Sequence, residues 1–144
     1  VLFHAQYSSM MHLLVLYAAA GVILGHNFPF YLNFRGGKGI AATAGLVLSF
    51  HPVMAVLGII TFFGIFFTTH YVSLGSLAVY AGLMIEMVVF GQMGWFDLSQ
   101  NHLIELYVLM AFLTALAYWK HRGNIKRLLE GTERKTYLTK KSQQ

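Results

Sequence analysis

Gly25-His26-Asn27-Phe28-Pro29-Phe30-Tyr31-Leu32-Asn33-Phe34-Arg35-Gly36-Gly37-Lys38-Gly39 interrupts an otherwise apolar chain, and the runs on either side of it decide the fold. No Asp, Glu, Lys or Arg occurs from Val1 to Phe34, and none from Gly39 to Ile85. Each run exceeds the roughly 20 residues that a helix needs to cross a bilayer core. Of the 144 residues, 57% are hydrophobic and only 10% charged, far from the roughly 25% charged of an average soluble domain. The expected fold is all-α: a polytopic integral membrane helical bundle of about five membrane helices, one of them short, plus a C-terminal interfacial helix.

Between Gly25 and Gly45 the chain gathers Arg35, Lys38, His26 and five glycines. Glycines let the backbone turn sharply and bring N–H groups close to a ligand, and the two cations add positive charge beside them. A helix starting at Gly39 would point its unpartnered N-terminal N–H groups at the same place. The segment therefore reads as an anion site, with a phosphate as the implied ligand. It also reads as a tight cytoplasmic turn between membrane helices, where Lys and Arg collect. The nucleotide-binding P-loop is excluded, because that motif needs Gly five residues before the Gly-Lys pair and Ser or Thr directly after it. Those positions hold Leu32 and Gly39.

Outward from this stretch, an apolar span over about Ser9 to Leu24 precedes it and ends at Gly25-His26. A short helix follows from Gly39 to Phe50. His51-Pro52 breaks it, since proline cannot continue the hydrogen-bond ladder. Further helices are predicted from Pro52 to about Thr69, from Val72 to Phe90 and from His102 to Trp119, with Glu86 near the outer end of its helix. The loop Gly91 to Asn101 carries Asp97 and no cation, which suits the non-cytoplasmic side. All ten Lys and Arg fall in two clusters, Arg35/Lys38 and Lys120 to Lys141. If both are cytoplasmic, an even number of crossings separates them, so the short helix counts as one. That parity brings the surroundings of Lys38, Ser73 and His121 to one face. Past His121, Asn124 reads as a helix N-cap and Gly131 as a stop, with Ile125, Leu128 and Leu129 on one apolar face. Residues 1–144 are read as one membrane domain, with 120–144 a basic cytoplasmic tail.

The net charge of +5 is explained by the positive-inside rule and anionic lipid headgroups rather than by nucleic acid. No cysteine is present, so thiolate chemistry and disulfides are excluded. The seven histidines show no metal-ligand spacing, and no metal or cofactor is expected. No histidine is followed five residues later by Asp, so the histidine-aspartate dyad of many thioester-using acyltransferases is absent.

Three groups of residues together resemble one family. They are Gly25-His26-x-Phe28-Pro29 with Phe34-Arg35-Gly36-Gly37-Lys38-Gly39-Ile40-Ala41-x-Thr43; Tyr71-Val72-Ser73-Leu74-Gly75-Ser76; and His121-Arg122-x-Asn124-Ile125-x-Arg127-Leu128-x-x-Gly131-x-Glu133. In this order and at these intervals they resemble the bacterial acyl-phosphate:glycerol-3-phosphate acyltransferases, the PlsY family. The resemblance implies a multi-pass inner-membrane enzyme with its motifs on the cytoplasmic face. It would move a fatty acyl group from acyl phosphate to the 1-hydroxyl of glycerol 3-phosphate, giving lysophosphatidic acid for phospholipid synthesis. Its partners would be those two substrates and membrane lipids. His121, Asn124 and Lys38 would be catalytic, and His26, Arg35, Gly36, Gly37, Lys38, Gly39, Ser73, Ser76, Arg127 and Glu133 would bind substrate or phosphate. The family's N-terminal Gly-Ser-Gly-Asn motif has no match here, so the chain is expected to be the C-terminal part of a longer enzyme. The alternative from a different class is an anion or phospholipid transporter, with the broken helix at Pro52 and the helix start at Gly39 forming its site.

Overall fold

The computed structural model describes residues 10–137. The remaining residues, including the expected start of the first span at Ser9 and the end of the basic tail, lie outside the described residues. Among the described residues the secondary structure is entirely helical: α1 (Met11–Asn27), a single 3₁₀ turn (Phe30–Leu32), α2 (Ile40–Phe50), α3 (Pro52–Thr69), α4 (Val72–Gln92), α5 (Gln100–Lys120) and α6 (Arg122–Leu129). The short helix and the break at His51-Pro52 fall where expected. Pro52 takes the first helical position of α3, and the His51 ring accepts a hydrogen bond from the Val53 N–H, replacing a partner that the helix start lacks.

The first five helices close into a ring: α1 packs on α2 and α5, α2 on α3, α3 on α4, and α4 on α5. Leu16, Leu46, Met54, Tyr80, Met87, Leu106 and Leu113 fill its interior, while Val22, Ile60, Ile85 and Val108 face outward. Helices apolar on both faces are those of a bundle whose outer solvent is also apolar. The α1 segment, α3, α4 and α5 are each long and apolar enough to cross a membrane. At 11 residues, α2 rises only about 16 Å, and the ring accommodates it beside longer neighbours. Its far end is closed by aromatic packing, with His12 set 5.3 Å from Phe50 and 5.0 Å from Phe96. The opposite end gathers the last turn of α1, the starts of α2 and α4, and the α5–α6 junction, as the parity of crossings requires.

Several boundaries differ from expectation, the end of α4 at Gln92 rather than Phe90 among them. The first helix does not stop at Gly25-His26 but runs to Asn27, because the returning loop supplies partners for its last carbonyls: Gly37 N–H to His26 O at 3.2 Å and Gly36 N–H to Asn27 O at 3.3 Å. The last span starts at Gln100, behind a Ser99 cap, rather than at His102. Asn124 is not an N-cap. His121 takes that place, and Asn124 lies buried within α6, where two side-chain partners outcompete the local capping role. Gly131 is the stop expected of it, with φ +68° and its N–H on Leu128 O.

Candidate active site

Lys38 reaches the site from a loop that only glycines allow to close. A side chain on Gly36 would collide with the backbone of His26 and Asn27 and with the Pro29 ring, and one on Gly37 would strike the His26 imidazole. Gly39 has φ +78°, a left-handed conformation that disfavours any Cβ. The loop thus lies flat on the end of α1, and Lys38 projects toward α6. Its ammonium donates to Asn124 Oδ1 at 2.6 Å. The Asn124 amide in turn donates to Glu133 Oε1 at 2.5 Å. Ser73, in the first turn of α4, donates to the same oxygen at 2.7 Å, and Arg127 Nε donates to Glu133 Oε2 at 2.7 Å. An ammonium only donates and a carboxylate only accepts, so the Asn124 amide has one permitted orientation.

Glu133 is the hub of this network. Burial pushes its carboxyl upward, but the hydrogen bonds from Asn124, Ser73 and Arg127, with the Arg127 charge, outweigh burial and hold it below the usual carboxylate range. Its contribution to stability is therefore present above the ordinary carboxylate pKa and is lost as pH falls through the lowered one. The segment that carries it is tied down on both sides, by Thr132 N–H to Arg127 O and Thr136 N–H to His70 O, each at 2.8 Å.

His121 is completely buried at the α5–α6 junction. Its Nδ1 lies 2.8 Å from Ala117 O; a carbonyl only accepts, so Nδ1 carries the proton and Nε2 presents a lone pair. Among the described residues, that Nε2 has no hydrogen-bond partner. Burial lowers the imidazole's pKa, the Ala117 carbonyl opposes this, the Lys38 charge lowers it further and Glu133 raises it. The result is a ring kept neutral near pH 7, able to accept a hydrogen bond from a hydroxyl.

Lys38, Ser73, His121, Asn124, Arg127 and Glu133 line one polar cavity of about 290 Å³ with Ile40, and Arg134 and Thr136 add to its rim. Ile40 also lines a second, apolar groove of about 370 Å³ between α2, α3 and α4, so the two cavities share a wall. The remaining sequence-derived candidates lie elsewhere. Ser76 faces the apolar groove and donates to Val72 O within its own helix. His26 and Arg35 are exposed and do not line the polar cavity. The Gly36 and Gly37 N–H groups point back at α1 carbonyls, so these glycines close the loop. Two contacts carried no signal in the sequence: the Thr43–Tyr80 hydroxyl pair across the groove, and Lys120, which read only as the first member of a basic cluster.

A family model described as glycerol-3-phosphate acyltransferase matches residues 1–131. A glycerol-3-phosphate acyltransferase of Halalkalibacterium halodurans is 44% identical over 120 residues, covering 82% of this chain and 55% of the relative. One from Rhizobium etli is 35% identical over 112 residues, covering 78% and 49%. Among solved structures, the crystal structure of PlsY, an integral membrane glycerol 3-phosphate acyltransferase in its glycerol 3-phosphate form, superposes with a TM-score of 0.68 at 30% identity, over 80% of this chain and 52% of that one. The chain spans about half the length of the relatives it matches.

Proposed function

The chain belongs to the glycerol-3-phosphate acyltransferase family, and from that premise we propose that it supplies the reaction end of an enzyme that acylates the 1-hydroxyl of glycerol 3-phosphate from acyl phosphate. The observation that carries this reading is the shared wall at Ile40 between a cationic cavity and an apolar groove. An acyl phosphate needs both environments at once: a chain in the groove and a phosphate among Lys38, Arg127 and Arg134. The hydroxyl oxygen attacks the acyl carbonyl carbon, the bond from that carbon to the phosphate oxygen breaks, and the hydroxyl proton leaves with the departing phosphate. Lysophosphatidic acid and inorganic phosphate are the products. In this scheme Lys38 stabilises charge developing on the leaving phosphate. The Nε2 lone pair of His121 orients the attacking hydroxyl, while Asn124 and Glu133 hold Lys38 and Ser73 in place. Acyl phosphate has a good leaving group, which fits a cavity whose one carboxylate is held ionised.

The test is made in a full-length form, completed with the unmatched portion of the Halalkalibacterium halodurans relative and placed in lipid vesicles. Acyl phosphate with glycerol 3-phosphate should give lysophosphatidic acid and one phosphate per ester, and acyl-CoA should give none. Equal rates from acyl-CoA would remove the donor class. Movement of phosphate or lipid without a new ester would establish the transporter instead.

We further propose that the cavity faces the cytoplasm of a bacterial inner membrane. Arg35, Lys38 and the described part of the second cluster, Lys120 to Lys135, lie at that end of the ring, and the cation-free loop between α4 and α5 lies at the other. The cysteine-free chain permits a direct check. With single cysteines at Ser99 or Thr132, an impermeant thiol reagent outside intact cells should label position 99 and spare 132. Reversed labelling would invert the orientation.

A further inference from the structure

We propose that Lys120 is a positioning residue, tying the loop that carries Lys38 to the helix junction that carries His121 and Asn124. Lys120 ends α5 and is half-buried. Its ammonium donates to Asn27 O at 2.9 Å and sits 4.7 Å above the Phe28 ring. Asn27 O also accepts the Gly36 N–H at 3.3 Å. One carbonyl at the C-terminal, partly negative end of α1 thus joins three segments: α1, the returning loop two residues before Lys38, and α5 one residue before His121. A surface cation that answered only the positive-inside rule would extend its ammonium into water, whereas this one is held by a carbonyl and an aromatic face.

Among the described residues, two side-chain hydrogen bonds cross from the α1–α2 connection to the α5–α6 junction: Lys38 to Asn124 and Lys120 to Asn27. The first lies in the polar cavity and is exchangeable, because a phosphate oxygen is a stronger acceptor for an ammonium than a neutral amide. The second lies outside the residues that line the cavity. When Lys38 turns to an anion, Lys120 keeps the loop against α5. The proposal rests on the cavity being the reaction site, and it separates from that reading in the experiment.

Hydrogen exchange is followed on the completed full-length form in detergent micelles. In Lys120→Met, which keeps the stem and loses the ammonium, the Gly36 and Gly37 amides should exchange at least about tenfold faster, while residues 77–87 of α4 exchange as in the wild type. Lys120→Arg, which retains a cationic donor over Phe28, should restore protection to within about twofold of wild type. Titration with glycerol 3-phosphate should show weakening in Lys120→Met and recovery in Lys120→Arg. Unchanged loop exchange in Lys120→Met overturns the proposal. So does faster exchange spread equally through α4, which marks a general loss of packing. If the wild-type full-length form takes up no glycerol 3-phosphate, the assignment of the cavity fails, while the exchange comparison still decides whether Lys120 positions the loop.

Discussion

Lys38→Ala in the completed full-length enzyme is expected to lower kcat/KM for glycerol 3-phosphate by at least about 100-fold, the scale of losing one donor that faces developing negative charge. The melting temperature should stay near wild type. The side chain is half-buried, and among the described residues its one hydrogen bond runs to Asn124 Oδ1 across a polar cavity that water can enter, so truncation leaves no group stranded in an apolar core. Two further substitutions separate charge from hydrogen bonding. Lys38→Gln keeps a donor for Asn124 and loses the ammonium; it should fold like wild type and be nearly as inactive as Lys38→Ala. Lys38→Arg should also be impaired, since a planar fork does not reproduce a compact charge in the space between Gly37 and Gly39. Steady-state kinetics with calorimetric melting would check all three. Near-normal turnover in Lys38→Ala would leave the Arg35–Gly39 stretch as an ordinary positively charged turn.

The second large effect is expected from Asn124→Asp, which changes one amide nitrogen into oxygen with almost no change in volume. In the native protein that nitrogen donates to Glu133 Oε1 at 2.5 Å. The replacement therefore sets two carboxylates against each other at hydrogen-bond distance, where they cannot both remain ionised. At neutral pH, repulsion drives Glu133 away from Ser73 and Arg127, releases the segment after Gly131, and lowers kcat/KM by at least about 100-fold. The pH dependence reverses sign. The native Glu133 carboxyl is held low, so its stabilising bonds are retained as pH falls until the lowered pKa is passed. In the variant the pair shares a proton, one pKa is raised, and the network is intact below that raised value and lost as pH rises through it. Activity against pH should therefore be flat around neutrality for the native enzyme and should recover on the acid side for Asn124→Asp. Asn124→Ala is the control, inactive at every pH. A variant with wild-type activity at neutral pH would show that the Asn124–Glu133 bond does not organise the site.

Much of this protein was legible without coordinates, because a membrane imposes coarse rules on a sequence. Two uncharged runs longer than a bilayer is thick leave helices as the means of satisfying the backbone. Pro52 cannot continue α2, and Gly131 reaches a left-handed conformation at low cost, so both boundaries followed from single residues. The parity of cationic clusters brought Lys38, Ser73 and His121 to one end before any contact was known. What these signals share is that they act through local backbone geometry or through the solvent.

The roles of individual polar groups were decided by tertiary structure. Asn124 has the chemistry of a helix cap, and only the arrival of Lys38 from 86 residues away and of Glu133 from beyond the end of α6 made it the link between a loop cation and the hub carboxylate. Gly36 and Gly37 suggested free N–H groups for a phosphate, yet the end of α1 lies close enough to take both. Ser73 and Ser76 stand three residues apart in one motif, and the turn of α4 sends the first to the polar cavity and the second to the apolar groove. Lys120 looked like any cation at the end of a span until the Asn27 carbonyl and the Phe28 ring lay beneath it. A hydrogen bond takes whichever partner the packing brings within about 3 Å, and no pattern along the chain encodes which of several adequate partners that will be.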